Sequence, residues 1–541
     1  LHEPAKQWSV ICLLLLLCLA KGIWFVHGLT VPPDADMIRD VGFIQAALDG
    51  NFTGDPTNAN ALRWYPPLIH VLAAGAVRLA GASIMSTWIQ AGLWTNLLSP
   101  LMFFVMNRRL IGPWPAVAAT IVFVLYGTAT MPPDAAAGYT PFTFTPSLAW
   151  PMFFAAVWLI HARADARRFG SALLIGAMLG IVFLVNTVPA ILLSAIVAAV
   201  AIARDGLRSA VLFWLVCVAV AELAFAAPFL APLIVAYHLH IVNPVPGGWV
   251  HELLTVPPLR KWLIGVNLPG ILALAVVALR RGYGLERVSA VIFATWIAAC
   301  VFFLVRHMAC FYLGQAGGVC GVFVIAVHHY HAYLQAAWAS LIGLALCRLM
   351  GSLSRTWRWP VRAALAAAIF AGLVGFVTEP WSSLVSRGSS SMSKRASALA
   401  NPDTILNLEA YHWILANTAP QALFVTPRPG LDASPSAIGP EAATVIAAGR
   451  RLVAAPEAHA NPYIEWPERN AQRVRYLSAL SGGPEAAQAL CELLRQADAR
   501  AGAYFLLPNG TRVTASTVAP MFIGGTAGIY RVADMSCAPS R

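Results

Sequence analysis

Apolar runs of bilayer-spanning length recur along this chain from Leu13 to Val377, broken by short polar stretches that often carry arginine. A crossing of the hydrocarbon core needs roughly 20 apolar residues. The pattern predicts eleven spans, at about 8–26, 86–107, 113–131, 147–163, 170–185, 187–203, 209–235, 261–279, 288–305, 333–350 and 361–377. Two stretches do not fit as plain spans. "YPPLIHVLAAGAVRLAG" (65–81) is short and holds His70 and Arg78. It reads as an interfacial helix over 66–81, started by Pro66-Pro67. "MACFYLGQAGGVCGVFVIAV" (308–327) has a Gly-Gln-Ala-Gly-Gly centre, which suits a re-entrant or broken helix lining a cavity.

The arginines order the spans. They cluster at Arg108/Arg109, Arg163/Arg167/Arg168, Arg204/Arg208, Arg280/Arg281/Arg287 and Arg348/Arg355/Arg358/Arg362. Placing all five clusters in the cytoplasm lets the spans alternate without conflict. The N-terminus then lies inside, and the long loops 28–66, 132–146, 236–260 and 306–332 gather on the outer face with everything after about Glu379.

Beyond residue 379 the periodicity changes. Short β-type runs at 422–427, 451–456, 503–508 and 528–532 alternate with helical stretches at 407–418 and 484–502. That alternation predicts a small α/β domain with a mainly parallel sheet, joined by the Ser-rich linker 386–398. The expected organisation is a transmembrane part over 1–378 and an extracytoplasmic soluble domain over 379–541. The fold class is a polytopic α-helical membrane protein of about 11 transmembrane helices with a C-terminal extracytoplasmic α/β domain.

Composition supports this class. Of 541 residues, 59% are hydrophobic and only 11% charged, against about 25% charged in soluble domains. The net charge of +12 lies in the loop clusters rather than in a stripe, so it reports topology and not a nucleic-acid partner. The first apolar stretch lacks a small-residue cleavage pattern, which argues for a retained span over a cleaved leader. Of nine cysteines, Cys491 and Cys537 lie in the polar C-terminal part and could pair if it is exported; the others read as buried thiols.

The densest chemistry follows the first span. "PPDADMIRDVGFIQAALDG" (32–50) sets Asp34, Asp36, Arg39 and Asp40 at the membrane edge. On a helix starting near Asp34, Asp36 and Asp40 share a face, while Asp34 sits at the cap. A partly desolvated carboxylate there can act as a general base or a metal ligand; an ordinary N-cap with a first-turn acid is the plainer reading of Asp34. The run continues through G-x-x-x-x-D-P (50–56), W-Y-P-P-L (64–68) and R-R-L-x-G (108–112). Over residues 8–115 it resembles the integral-membrane glycosyltransferases of the GT-C fold class, with arabinofuranosyl- and mannosyl-transferring bacterial members closest in layout. The resemblance implies a polyprenyl-phosphate or polyprenyl-diphosphate sugar donor. It implies a first-loop aspartate as catalytic base or metal ligand: Asp36 or Asp34, with Asp40 standing where many relatives carry histidine. Asp34 and Asp36 are the candidate ligands of a divalent cation, Mg²⁺ or Mn²⁺.

A lipid phosphate needs cations or hydrogen-bond donors at headgroup depth. Arg306-His307 ends one span and His328-His329-Tyr330-His331 begins another, with Gln335 one turn beyond His331. Arg306, His307, His328, His329 and His331 are the donor-phosphate candidates; an interfacial belt is the plainer reading of the histidine run. Arg39, Arg63, Trp64, Tyr65 and Tyr330 are substrate-binding candidates, with Trp249 a further sugar-stacking one. His238, His240 and His251 could join the patch, and Arg451, His459, Asn461 and Tyr463 could form a saccharide-binding rim, though for both groups structural roles are favoured. No G-x-G-x-x-G, P-loop, H-E-x-x-H or paired C-x-x-C occurs.

These readings converge on an inverting glycosyltransferase of the bacterial cytoplasmic membrane, acting on an extracytoplasmic glycan, lipid or protein acceptor. The alternative is a transporter or flippase of a lipid-linked polar solute. A transporter built from repeats would show two similar halves with broken helices at mid-membrane; this chain shows no duplication, and its irregular polar segments gather at one face.

Overall fold

The computed structural model describes residues 3–126, 138–164, 168–243, 267–279, 285–312, 327–378, 391–427, 430–431, 434–498, 500–533 and 537. Fourteen helices come first among them. They are α1 (Glu3–Val26), α2 (Ala35–Leu48), α3 (Leu68–Ala80), α4 (Ile84–Thr95), α5 (Leu98–Leu110), α6 (Pro113–Tyr126) and α7 (Thr145–Arg163). There follow α8 (Phe169–Phe183), α9 (Thr187–Asp205), α10 (Ser209–Tyr237), α11 (Asn267–Leu279), α12 (Arg287–Tyr312), α13 (Val327–Ser352) and α14 (Arg355–Thr378).

Among the described residues, seven helical stretches are long and apolar enough to cross a membrane, and four apolar helices are shorter. The described parts of the expected spans fall on helices, and among the described residues seven stretches, against the eleven expected, meet the length and apolarity of a crossing. The expected span 86–107 is in fact two helices, α4 and α5, interrupted at Asn96, whose side-chain amide donates to the carbonyls of Thr140 and Phe142 at 2.8 and 2.7 Å. The helix α3, expected over 66–81, is 13 residues long. At 1.5 Å per residue it is too short to span, and its amide of Leu68 donates to the carbonyl of Leu184. Residues 313–326, central to the expected broken helix, lie outside the described residues; α12 continues to Tyr312.

The bundle core joins α5–α9, α12 and α13 around Phe103, Phe123, Phe153, Trp296 and Tyr333. Close approach is enabled by small residues: a Cβ on Gly343 of α13 would lie 2.4 Å from the Ala119 amide of α6.

After α14 come α15 (Ser391–Ala400), α16 (Leu408–Asn417), α17 (Pro440–Ala447), α18 (Trp466–Ser478) and α19 (Pro484–Gln496). With them run β1 (Leu423–Val425), β2 (Gly430–Leu431), β3 (Ser434–Ile438), β4 (Arg451–Leu452), β5 (Ala503–Pro508), β6 (Val518–Gly524) and β7 (Ala527–Val532). The main sheet has the order β4-β1-β5-β7-β6. It is mixed rather than mainly parallel: β4-β1-β5 pair in parallel and β5-β7-β6 antiparallel. The reason is local. β6 and β7 are joined by a tight turn at Gly525 (φ 56°), so they can only form a hairpin. The expected linker 386–398 is partly helical, as α15 begins at Ser391.

Strand alternation splits the sheet's two faces. Tyr504 and Leu506 face a core shared with α2, α3, α4, α16 and α17, while Phe505 and Leu507 face one built with α18 and α19. The first of these cores fuses the acidic loop to the C-terminal unit. The second is stapled by the Cys491–Cys537 disulfide.

Candidate active site

The acidic segment forms α2, and its first turn is organised by Asp34. The Asp34 carboxylate caps the helix by accepting the Asp36 amide at 2.8 Å. Asp36 lies just inside, its side chain 47% exposed, and pairs with Arg39 Nη1 at 2.8 Å. One turn deeper, Asp40 is fully buried. Its Oδ1 meets Arg39 Nη2 at 3.4 Å and His70 Nε2 of α3 at 3.1 Å, and Thr145 at the start of α7 donates to both carboxylate oxygens at 3.4–3.5 Å. The helix face expected to carry Asp36 and Asp40 together therefore runs from a solvent rim into the protein, and the two acids differ in access.

Arg39 is the hinge between them. Its guanidinium bonds both carboxylates and lies 4.3 Å from the Tyr65 ring centroid. Burial works against its charge, but Asp36, Tyr65 and Asp40 more than compensate, so its pKa rises and it stays a cation. His70 is buried against Phe43 and Trp88; burial outweighs the Asp40 hydrogen bond and lowers its pKa to about 4, leaving a neutral imidazole. Burial likewise pushes the Tyr65 phenol up to about 12, keeping it protonated.

A second buried knot supports the loop. Asp55, of the G-x-x-x-x-D-P run, accepts from the Thr57 amide and hydroxyl at 2.8 and 2.6 Å, from Asn58 at 2.9 Å and from Asn461 at 3.2 Å. Burial raises its pKa, against those hydrogen bonds. Arg63 is 3% exposed, stacks 4.4 Å over Phe43 and donates Nε to the Tyr65 carbonyl at 3.3 Å. Burial lowers its pKa to about 10, with Asp55 and Asp40 opposing the fall. Trp64 and Tyr65 are both half-buried, packed edge to face.

The C-terminal unit reaches the same cluster. His459 Nδ1 lies 3.6 Å from Asp36 Oδ1. Asn461 bonds Asp55 and the Leu62 carbonyl, and Arg450 pairs with Asp49 at the end of α2 at 2.8 Å. The chain of Asn58 bridges Leu452 in parallel. Gly42 is the contact point of α2 with α17: a Cβ there would lie 2.1 Å from the Ile446 carbonyl oxygen. Tyr463 stacks on Tyr237 at 5.0 Å. Arg451 sits in edge strand β4.

The histidine run is arranged differently. His329 is half-buried, whereas Tyr330 is stacked on Phe303 at 4.7 Å and His331 is fully buried with Nε2 3.4 Å from the Asn267 amide nitrogen. Arg306, on α12, lies within electrostatic reach of Tyr330. The side chains of His307 and His328 are outside the described set, as are Trp249 and His251. His238 and His240 are exposed in the turn ending α10.

A divalent cation at Asp34 and Asp36 would need further oxygen or nitrogen ligands. Asp34 is engaged in capping and Asp36 is paired with a guanidinium, and among the described residues no group of three His, Cys, Asp or Glu converges. The described side chains therefore bring no three-donor set to Asp34 and Asp36.

Sequence reasoning found Asp34, Asp36, Arg39, Asp40, Arg63, Trp64 and Tyr65 and placed them on one loop. It passed over His70, Thr145 and Asp49, and gave Asp55 no role of its own. His70 had a signal: a histidine set among the apolar residues Leu68, Ile69, Val71 and Leu72.

No protein-family model matches the chain, and no curated protein matches it by sequence. Solved structures do match in fold. ArnT from Cupriavidus metallidurans bound to undecaprenyl phosphate is similar with TM-score 0.55 and 12% identity, over 99% of this chain and 100% of that one. Arabinofuranosyltransferase AftD from Mycobacteria is similar with TM-score 0.51 and 14% identity, over 97% of this chain and 40% of that longer one. The archaeal oligosaccharyltransferase AglB from Archaeoglobus fulgidus, in complex with an inhibitory peptide and a dolichol-phosphate, is similar with TM-score 0.51 and 12% identity, over 94% and 70%.

Proposed function

The fold is that of the GT-C membrane glycosyltransferases, and from that premise we propose that the chain transfers a sugar from a polyprenyl-phosphate carrier to an acceptor hydroxyl, with inversion, on the outer face of a bacterial cytoplasmic membrane. The observation that carries the reading is Asp36: a half-exposed carboxylate at the mouth of an otherwise buried ionic cluster, held from one side by Arg39 and approached by His459 from the other.

In the proposed step the acceptor hydroxyl attacks the anomeric carbon while the bond from that carbon to the carrier phosphate oxygen breaks. The acceptor proton passes to Asp36, and the electron pair leaves on the phosphate, which needs charge stabilisation more than protonation. Asp34 is a structural cap in this scheme. Asp40, bonded to neutral His70, holds Arg39, and Arg39 sets the orientation of the Asp36 carboxylate. Arg306 and His329 are the groups that would meet the carrier phosphate, Arg306 through its planar fork, and Trp64 and Tyr65 would line the sugar path. The Cys491–Cys537 disulfide supports placing residues 379–541 outside, because such bonds persist in oxidising compartments.

The test is transfer from a radiolabelled polyprenyl-phosphate sugar pool by purified protein in nanodiscs, wild type against Asp36→Asn. Loss of transfer with donor binding retained is expected. Undiminished transfer by the variant would remove Asp36 as the base, and no transfer from any pool by wild type, with lipid still bound, would overturn the reading.

A further inference from the structure

The end of the bundle that carries the basic clusters holds a second ionic site, unrelated to the acidic loop. There the C-terminus of α7, the start of α8 and the end of α9 enclose a cavity of about 640 Å³. Its described lining includes Arg163, Arg168, Arg204, Gly170, Ser171 and Leu174, with Asp205 the one acidic residue among them. Three guanidinium groups and one carboxylate leave an excess of positive charge in a concave site at the membrane boundary, where low dielectric on one side strengthens it.

The site is built rather than a chance gathering of exposed cations. Arg204 is fixed by donating to the carbonyls of Ala164, at 2.6 Å, and His161 at the end of α7, so its position is set by the fold. Trp214 Nε1 donates to the Arg168 carbonyl at 3.3 Å and to Ser171 Oγ at 3.1 Å, tying the start of α8 to α10. The first turn of α8 offers backbone N–H groups to an anion, and the approach is open: a Cβ on Gly170 would meet nothing within 4 Å. Arg163 and Arg168 are exposed at the mouth.

The surface below the mouth tells a free anion from a lipid. Phe169, Leu173 and Leu174 are 59%, 45% and 51% exposed along α8, and Leu174 itself lines the cavity. A soluble phosphate would use only the cationic part. An anionic phospholipid would use both, its headgroup phosphate among the arginines and its acyl chains along α8.

We infer that this cavity binds the headgroup phosphate of an anionic phospholipid of the inner leaflet, with the chains laid on α8. The site is independent of the sugar-transfer reading and is tested without an activity assay.

Delipidated protein in neutral detergent is titrated with phosphatidylglycerol, phosphatidylcholine or inorganic phosphate, with native mass spectrometry reading adducts and thermal unfolding reading stabilisation. Phosphatidylglycerol is expected to remain bound and to raise Tm; phosphatidylcholine and inorganic phosphate are not. The double variant Arg163→Gln/Arg168→Gln leaves Arg204 in its structural role and is expected to bind phosphatidylglycerol roughly 25-fold more weakly, about fivefold for each cation at a membrane surface. Arg163→Lys/Arg168→Lys is expected to restore most of the affinity, which separates lost charge from a damaged fold. Unchanged affinity in the glutamine variant would overturn the site. Equal stabilisation by phosphatidylcholine would overturn charge recognition, and equal stabilisation by inorganic phosphate would overturn the lipid assignment.

Discussion

Two segments of this chain crowd polar groups into a few residues at a membrane boundary, and the fold treats them in opposite ways. In the first, Asp34–Asp40, the local cluster is completed from afar: His70 comes from α3, Thr145 from α7 and His459 from the C-terminal unit. In the second, His328–His331, the described side chains take different environments. Helical geometry turns successive residues by about 100°, so Tyr330 and His331 are buried on the bundle side while His329 stays half-buried. Density along the sequence becomes density in space only where other elements close around it. The acidic loop is closed over by α3, by α7 and by the C-terminal unit; the described residues of the histidine run open α13, with Tyr330 on Phe303 and His331 on Asn267.

On the proposed reading the chemistry concentrates in the first region, and the largest expected effect is there. Asp36→Asn keeps the shape of the side chain and removes the basic oxygen. The turnover rate is expected to fall by about 10²–10⁴, the usual range for a general base, with donor binding retained. A fall of less than about tenfold would show that the loop's ionic cluster, however dense, is scaffold.

The next effect is on stability. Asp40→Ala leaves Arg39 and His70 buried and without their shared carboxylate, and is expected to cost about 3–5 kcal/mol, as breaking one partner of a buried pair does. His331→Ala, in the histidine run, removes the contact to Asn267 and a small packed volume, and is expected to cost about 1–2 kcal/mol. Thermal unfolding of the two variants in the same detergent compares them directly. Equal losses would mean that the two regions are equally built, against the contrast drawn here.

Much of this could be read in advance. The helices follow from apolar runs, and α3 as a helix too short to span from Pro66-Pro67 and its length. The strands β1, β4, β5 and β7 follow from short β-branched and aromatic runs. The antiparallel half of the sheet was not legible, because β6 carries Pro520, which weakens a strand signal, and its pairing with β7 depends on the turn at Gly525. Within the site, the ridge from Asp36 to Asp40 was legible from spacing four. Their difference in burial was not, because it depends on α3 and α7 packing over only the deeper turn. Asp55 and Arg450 were illegible for a related reason: their partners Asn461 and Asp49 lie about 400 positions away in sequence.

A smaller effect is set by pH. The His70 pKa is lowered by burial to about 4 from 6.5. Between those values the unfolded chain binds a proton that the folded chain does not, so stability falls as pH drops through 6.5 and levels off near 4. The loss attributable to this group is up to about 3 kcal/mol. His70→Gln should flatten that part of the profile of Tm against pH. If the slope persists unchanged in the variant, another group carries it, and the closed state of the acidic cluster is not what acid opens.

The smallest effect sharpens the other side of the comparison. If the second region contributes to the proposed reaction, it does so through Arg306, in the last third of α12 and within electrostatic reach of Tyr330, with His329 in support. Arg306→Gln is expected to raise the KM for the lipid-phosphate donor by about tenfold, the loss of one charge-assisted contact, while the turnover rate at saturating donor changes by less than about threefold. That split is the signature of a group that holds the carrier phosphate equally in the ground and transition states. A drop in turnover with KM unchanged would instead put Arg306 on the charge that develops as the phosphate leaves. It would then stand with Asp36 as part of the reacting centre, and the contrast between a closed catalytic loop and the histidine run would have to be redrawn around a site that spans both.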